Sequence, residues 1–258
     1  MDLGLAGRTA LVLGSSRGLG EAIARSLAAE GARVMVSGRD AARVARVAAD
    51  IRAAGGDAGE LVVDLGDAAS LSAALDGLGQ PVDILVNNGG GPPPGPVAQV
   101  APDQWARSFD AMVAPIFAVT ARLLPGMRQR GFGRVINIVS SGVAQPIPNL
   151  GISNALRSAI VGWAKTLASE VAKDGVTVNC VLPGRIHTAR IDELDAAAAA
   201  RGGSTLEAVA EASRATIPMG RYGDPREFAD VVAFLASTRA SYVTGTQIRI
   251  DGGLIRSV

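Results

Sequence analysis

Two hydrophobic rhythms alternate along this chain. Short β-branched and apolar runs occur at Arg8–Leu13, Arg33–Ser37, Glu60–Val63, Asp83–Asn87, Arg134–Val139, Thr177–Val181 and Gln247–Ile250. Their length and composition predict strands. Between them lie longer, Ala-rich segments with apolar positions recurring at helical period: Leu19–Glu30, Ala41–Ala54, Ala68–Leu78, Pro102–Arg130, Asn154–Lys173 and Pro225–Ala236. Strand–helix alternation along a whole chain predicts a parallel sheet with helices on both faces, reached through right-handed crossovers. The expected fold class is α/β: a single-domain, doubly wound parallel sheet of Rossmann type with about seven strands. No linker interrupts it, so residues 1–258 are expected to form one domain.

Three places break the rhythm. The segment Asn87-Asn-Gly-Gly-Gly-Pro-Pro-Pro-Gly-Pro96 can be neither helix nor central strand, so it is a loop at a strand's C-terminal end, where open α/β sheets bind ligands. Pro115 falls inside a helical stretch and should kink or break it. The longest insert, about 185–220, carries the Ala run 196–200 and then Gly202-Gly203. It reads as a helical flap over the substrate; an ordinary surface helix pair is the alternative.

Composition narrows the class. Apolar residues make up 48 % of the 258 and charged residues 19 %, which excludes disorder and supplies a substantial core. Aromatics are only 3 %, so Ala, Val, Leu and Ile must fill that core. A net charge of +1 gives no electrostatic case for nucleic acid or an anionic membrane as partner. The single cysteine, Cys180, excludes an internal disulfide and sits in an apolar run as a small core residue. No metal site is expected. The N-terminal residues lack a basic region followed by an apolar stretch, and no apolar run is expected to reach the roughly 18 residues of a membrane span. Cytoplasm is the default location.

The chemistry begins at Gly14-Ser-Ser-Arg-Gly18-Leu-Gly20, set between the first strand and the first helix. Glycines there let the backbone approach a pyrophosphate, and the helix N-terminus presents free N–H groups and a positive dipole end. The second strand ends Val36-Ser37-Gly38-Arg39, without the acidic residue that bonds a ribose 2′-hydroxyl in NAD sites. Arg17 and Arg39 instead suit a 2′-phosphate, which predicts NADP(H); solvated surface arginines are the alternative. Asp64, closing the third strand, is a candidate partner for the adenine amino group.

Taken together these segments resemble the short-chain dehydrogenase/reductase family over essentially the whole chain. The motifs that carry the resemblance recur in order: Gly14-x-x-x-Gly18-x-Gly20, Asp64, Asn87-Asn-Gly-Gly90, Pro183-Gly184 followed by Thr188, and Tyr242-Val-Thr-Gly245 with Asp251-Gly-Gly253. The resemblance implies an NAD(P)-dependent oxidoreductase acting on carbonyl and alcohol groups, usually a tetramer. It also implies a cofactor set of Gly14, Ser16, Arg17, Gly18, Leu19, Gly20, Arg39, Asp64, Leu65, Asn88, Gly89, Gly90, Arg157, Pro183, Gly184, Ile186 and Thr188, with Asn87 supporting the cofactor ribose region.

The family's chemistry uses Asn, Ser, Tyr and Lys, and here the match is uneven. Ser140 stands at the catalytic serine. At the Tyr and Lys positions, anchored by Lys165-Thr-Leu-Ala-Ser-Glu170 at the end of the same helix, stand Ser153 and Arg157; Met112 stands at the Asn position. A serine hydroxyl is a far weaker acid than a phenol, and an arginine orients and attracts anions but carries protons poorly. Ser153 and Arg157 share a helix face at i, i+4, and could hold a substrate carboxylate or phosphate, or the nicotinamide ribose. His187, the only histidine, is a candidate proton donor, with Asp192 and Glu193 behind it. Three readings stay open: an NADP(H)-dependent oxidoreductase on a small-molecule substrate, neutral or anionic, with an atypical donor; a dinucleotide-binding pseudoenzyme; and a non-redox lyase or isomerase. The resemblance implies a homo-tetramer; the Ala-rich helices Pro102–Arg130 and Asn154–Lys173 suit close packing between subunits, and an ordinary buried helix face is the alternative.

Overall fold

The computed structural model describes residues 1–257. Its element order is β1 (Thr9–Val12), α1 (Gly18–Ala29), β2 (Arg33–Gly38), α2 (Ala41–Ala53), β3 (Asp57–Val62), α3 (Ala68–Asp76), β4 (Ile84–Asn87), α4 (Pro102–Met112), α5 (Ala114–Gln129), β5 (Gly133–Ile138), α6 (Gly151–Val171), β6 (Val176–Pro183), α7 (Ala189–Gly202), α8 (Leu206–Ala215), α9 (Pro225–Ala236) and β7 (Gln247–Ile250). The seven strands form one sheet in the order β3-β2-β1-β4-β5-β6-β7, and every pairing is parallel. The order reverses between β1 and β4. The crevice beyond their C-terminal ends is where such sheets take ligands.

Side chains alternate across the sheet with period two. Ala10 and Val12 of β1, Ile84 and Val86 of β4, and Ile136 and Ile138 of β5 pack with α1, α2 and α9 residues such as Ile23, Leu27, Val47 and Phe228. Leu11, Leu85 and Val135 face the other way and pack with Leu71, Val119, Met127 and Ile160 of α3, α5 and α6. The two-sided burial explains why the central strands read as apolar runs rather than alternating ones.

Most boundaries agree with the sequence expectation to within two residues, and three places differ more. β3 starts at Asp57 rather than Glu60. It is the edge strand, with Ala58 its one fully buried side chain, and Gly59 leaves room for the Met35 thioether, so its apolar signal is weak. α6 starts at Gly151 rather than Asn154; a Cβ there would stand 2.4 Å from Val97 Cβ, so this poor helix former is required by packing. The stretch 102–130 is two helices, broken at Val113 with Pro115 buried in the first turn of α5, as Pro115 implied. The span Pro102–Gln129 is nevertheless long and apolar enough by composition to cross a membrane, contrary to the expectation that no segment would be. Only 28 % of its most apolar window is buried within this protomer.

Candidate functional site

The turn after β1 is fixed almost wholly by backbone. Gly14 and Gly18 have positive φ, +59° and +58°, which a side-chain-bearing residue adopts only with strain. A Cβ on Gly20 would lie 2.3 Å from the Gly14 carbonyl oxygen, so the start of α1 can press against the turn only as glycine. Ser15 is fully buried and locks the turn to β2: its Oγ donates to the Val12 carbonyl at 2.7 Å and accepts from Ser37 N at 2.8 Å. Ser16 occupies the space that a side chain at Gly38 would take. α1 begins with no side chain capping it, and that leaves its first N–H groups for an anion.

Two arginines overlook this turn. Arg17 and Arg39 are well exposed, and their nearest carboxylates, Glu193 and Asp64, are each 3.9 Å away. Contacts that long between exposed groups are worth little, so both guanidiniums remain open to a ligand. Asp64 keeps one oxygen on Gly66 N at 2.9 Å and turns the other toward Arg39. Leu65 beside it packs partly into the core.

The loop after β4 closes the other side of the crevice. Asn88 Nδ2 donates to the carbonyls of Leu13 and Gly14, both at 3.1 Å, which ties the loop to the Gly-rich turn. Gly89 and Gly90 are exposed, with open space where a Cβ would point. Asn87 is fully buried, and its Nδ2 donates to Asn137 Oδ1 at 2.8 Å and Thr120 Oγ1 at 3.2 Å. It sits inside the sheet's β4–β5 seam, so any support it gives a cofactor passes through these neighbours rather than through direct contact. Further along, Gly95 N donates to the Asn149 carbonyl at 2.8 Å, docking the loop on the segment that leads into α6.

Ser140 lies two residues past β5 and accepts a bond from Gly142 N at 3.0 Å, which leaves its hydroxyl proton free. Ser153, in the first turn of α6, is buried. One turn on, Arg157 Nη1 donates to the Ile138 carbonyl at 2.8 Å and Nη2 to the Gly90 carbonyl at 3.2 Å. This guanidinium thereby bridges β5, α6 and the loop after β4. Burial, helped by the Arg190 cation, pushes its pKa down to about 10, which still leaves it charged at neutral pH.

The far wall is the end of β6. Gly184 N donates to the Ile250 carbonyl at 2.9 Å, and a Cβ there would strike Asp251, so Pro183-Gly184 passes tight against the chain after β7. Ile186 is buried and bridges to Gly223. The Thr188 methyl lies 3.9 Å from where a Cβ on Gly18 would be, so the Gly-rich turn and the α7 N-terminus face each other across the crevice.

His187 points elsewhere. With Asp192, Glu207, Arg214, Arg221 and Tyr222 it lines a separate cavity of about 570 Å³ under α7 and α8, of which Ser140, Ser153 and Arg157 are not part. Tyr222 Oη donates to Asp195 Oδ2 at 2.6 Å, and Arg185 Nη1 donates to Asp195 Oδ1 at 2.6 Å. Asp195 is buried, so this trio anchors α7 to the turn before α9.

The residues fit NADP(H): a backbone cradle that a Cβ would fill, an uncapped helix N-terminus and two uncommitted arginines. Sequence reasoning missed Ser15, Asn154 and Arg190. Asn154 Nδ2 holds the Ile147 carbonyl at 3.0 Å. Its Oδ1 is a buried acceptor without a donor, 2.4 Å from where a Cβ on Gly142 would lie. Nothing in spacing or composition marks Asn154 or Arg190, whose positions depend on how loops fold together.

The family model described as enoyl-(acyl carrier protein) reductase matches residues 14–255. A 3-oxoacyl-(acyl-carrier-protein) reductase of Vibrio harveyi is 34 % identical over 258 residues, covering 98 % of this chain and 99 % of the relative. A putative ketoacyl reductase of the monensin polyketide synthase from Streptomyces virginiae is 35 % identical over 253 residues, covering 96 % and 97 %. Among solved structures, L-sorbose reductase from Gluconobacter frateurii, complexed with NADPH and L-sorbose, superposes with a TM-score of 0.94 at 31 % identity over 100 % of both chains. By its matched motifs, its fold and these relatives along nearly its full length, the chain belongs to the short-chain dehydrogenase/reductase family.

Proposed function

We propose that this protein is an NADP(H)-dependent oxidoreductase interconverting carbonyl and alcohol groups, with an atypical source of the proton. The observation that carries the reading is the Gly14–Gly20 turn, closed to side chains and overlooked by the exposed Arg17 and Arg39. The NADPH complex of the sorbose reductase supports the same cofactor. Titration should give tighter binding of NADPH than of NADH; the reverse order overturns the cofactor assignment.

When bound, the cofactor supplies the hydride. Gly14, Ser16, Gly18, Leu19 and Gly20 would hold its phosphates, Arg17 and Arg39 its 2′-phosphate, Asp64 and Leu65 its adenine, and Asn88, Gly89, Gly90, Pro183, Gly184, Ile186 and Thr188 its nicotinamide half. Ser140 Oγ donates to the carbonyl oxygen. Arg157, cationic throughout the working range, stabilises negative charge developing on that oxygen. Ser153 stands at the family's tyrosine position and is too weak an acid to give up a proton unaided, and Arg157 stays charged, so the Ser153 hydroxyl passes its proton to the carbonyl oxygen as it takes another from solvent. His187 would replace solvent as the source only if the α7–α8 pair, which we read as a substrate flap, moved it toward Ser140.

NADPH oxidation with a panel of ketones, ketoses and 3-oxoacyl thioesters tests this. No turnover with intact NADPH binding would instead favour a pseudoenzyme, a reading that rests on Ser153, Arg157 and Met112 standing where the family keeps Tyr, Lys and Asn. Activity arising only in the Ser153→Tyr, Arg157→Lys double variant would settle for that alternative. We also read the sparsely buried apolar surface of α4 and α5 as a subunit contact in a homo-tetramer; sedimentation as a monomer would remove it.

A further inference from the structure

We infer that Arg157 and Arg190 form a clamp for a carboxylate carried by the substrate, which makes that substrate an oxo acid rather than a neutral ketone or thioester; the inference rests on the reductase reading above.

The two guanidiniums come from different elements and meet over one glycine. Arg157 reaches from α6, and Arg190 from the first turn of α7, where its Nη2 donates to the Pro92 carbonyl at 2.8 Å. The Nη2 atoms of Arg190 and Arg157 lie 3.5 and 4.0 Å from the point where a Cβ on Gly91 would stand. A side chain at residue 91 would start in van der Waals contact with both cations and grow over them, so glycine keeps the approach to the pair open.

Both arginines are oriented without being neutralised. The acceptors that fix them are the backbone carbonyls of Ile138, Gly90 and Pro92. Among the described residues no carboxylate lies within 4.0 Å of Arg157. Arg190 has only Glu193, three residues on in the same helix at 3.3 Å, which is about half exposed and also faces Arg17. Two like charges held together with so little compensation repel each other, and Arg190 adds to the burial that lowers the Arg157 pKa. An anionic ligand between them removes that repulsion and meets both through charge-assisted bonds.

The geometry favours carboxylate over phosphate. Each Nη2 gives one N–H to a backbone carbonyl and keeps one, and two such N–H groups match the two oxygens of a carboxylate. A third anionic oxygen would have to face the Gly90 and Pro92 carbonyls that orient the arginines, and like partial charges there oppose it. The cofactor phosphates have their own donors at the α1 end of the crevice. Ser140, two residues after the carbonyl that Arg157 holds, is then placed to address a ketone near the clamped carboxylate.

The test is calorimetric titration of the NADP⁺-loaded protein, in which a ketone cannot be reduced and binding alone is read. The probes are 2-oxobutanoate, 3-oxobutanoate and 4-oxopentanoate, each against its methyl ester. At least one acid should bind about 10- to 100-fold more tightly than its ester, the scale of charged hydrogen bonds. Arg190→Leu should erase that preference and Arg190→Lys retain part of it. Gly91→Val, which keeps both charges but covers the approach to them, should erase it as well and stands in if Arg190→Leu fails to fold. Acids and esters binding alike overturns the clamp, as does a preference that survives in well-folded Arg190→Leu. Inorganic phosphate binding as tightly as the best acid overturns the choice of carboxylate. The reductase reading fails on a different readout: an acid that binds, yet never supports NADPH oxidation.

Discussion

The crevice has two sides built on opposite plans. At the β1–α1 turn almost everything is backbone: positive-φ glycines, a helix N-terminus, and a Cβ-sized space at Gly20 already filled by a carbonyl oxygen. At the β5–α6 side the surfaces are side chains: Ser140, Ser153, Asn154 and Arg157, held by bonds that other side chains could replace. A backbone site tolerates almost no substitution, because a peptide carbonyl cannot be moved without moving its strand. A side-chain site can exchange its chemistry while the scaffold stays intact. Under the reading proposed above, that contrast explains how a chemical side can depart from the family pattern while the cofactor side keeps it.

Matched glycine substitutions give the sharpest test. Gly20→Ala and Gly142→Ala introduce methyl groups at nearly the same nominal distance, 2.3 and 2.4 Å from an oxygen. At Gly20 the oxygen is a backbone carbonyl, so we expect about 3 kcal/mol of destabilisation in urea denaturation and no measurable NADPH binding. Replacing Arg17 and Arg39 together by Ala should weaken NADPH about 100-fold in equilibrium titration and leave NADH nearly unaffected. Asn88→Ala, which deletes both bonds from the β4 loop to the turn, should cost about 2 kcal/mol in the same urea experiment. Gly142→Ala meets the Asn154 amide, which can rotate away from the Ile147 carbonyl, so about 1 kcal/mol is expected. Equal losses for the two glycine variants would break the comparison. The smallest effect is a null one. Burial pushes the Cys180 thiol up to about 12, so it stays protonated through the working range, and thiol reagents at mildly alkaline pH should label it only after unfolding.

The same contrast governs what was legible in the residues alone. The β-α alternation and the Gly14–Gly20 turn are local patterns, and local patterns predict the central strands and the switch-point crevice well. Pro115 correctly marks the break between α4 and α5. β3 was less visible because an edge strand needs only one buried face, and Gly59 interrupts even that. The partners of Asn87 were hidden because a strand-end asparagine looks the same in sequence whether it faces a ligand or the Asn137–Thr120 pair behind it. Arg190 was invisible as a site residue: it acquires meaning only when α7 folds back over the β4 loop and brings it beside Arg157. His187 shows the converse, being adjacent in sequence to Thr188 yet turned into a different cavity.

The Tyr222–Asp195 bond gives this protein a built-in optical reporter. The chain has two tyrosines, and Tyr242 lies fully exposed at the surface. Tyr222 is the one held to a buried carboxylate that also grips Arg185 at the root of α7. Burial first, and then its bond to Asp195, raises the pKa of Tyr222 above the usual phenol value, so this phenol stays un-ionised to higher pH than a free one. Its near-ultraviolet absorption therefore reports on the attachment of the α7–α8 pair: a ligand that lifts the pair from its anchor shifts the Tyr222 band, and one that leaves it seated does not.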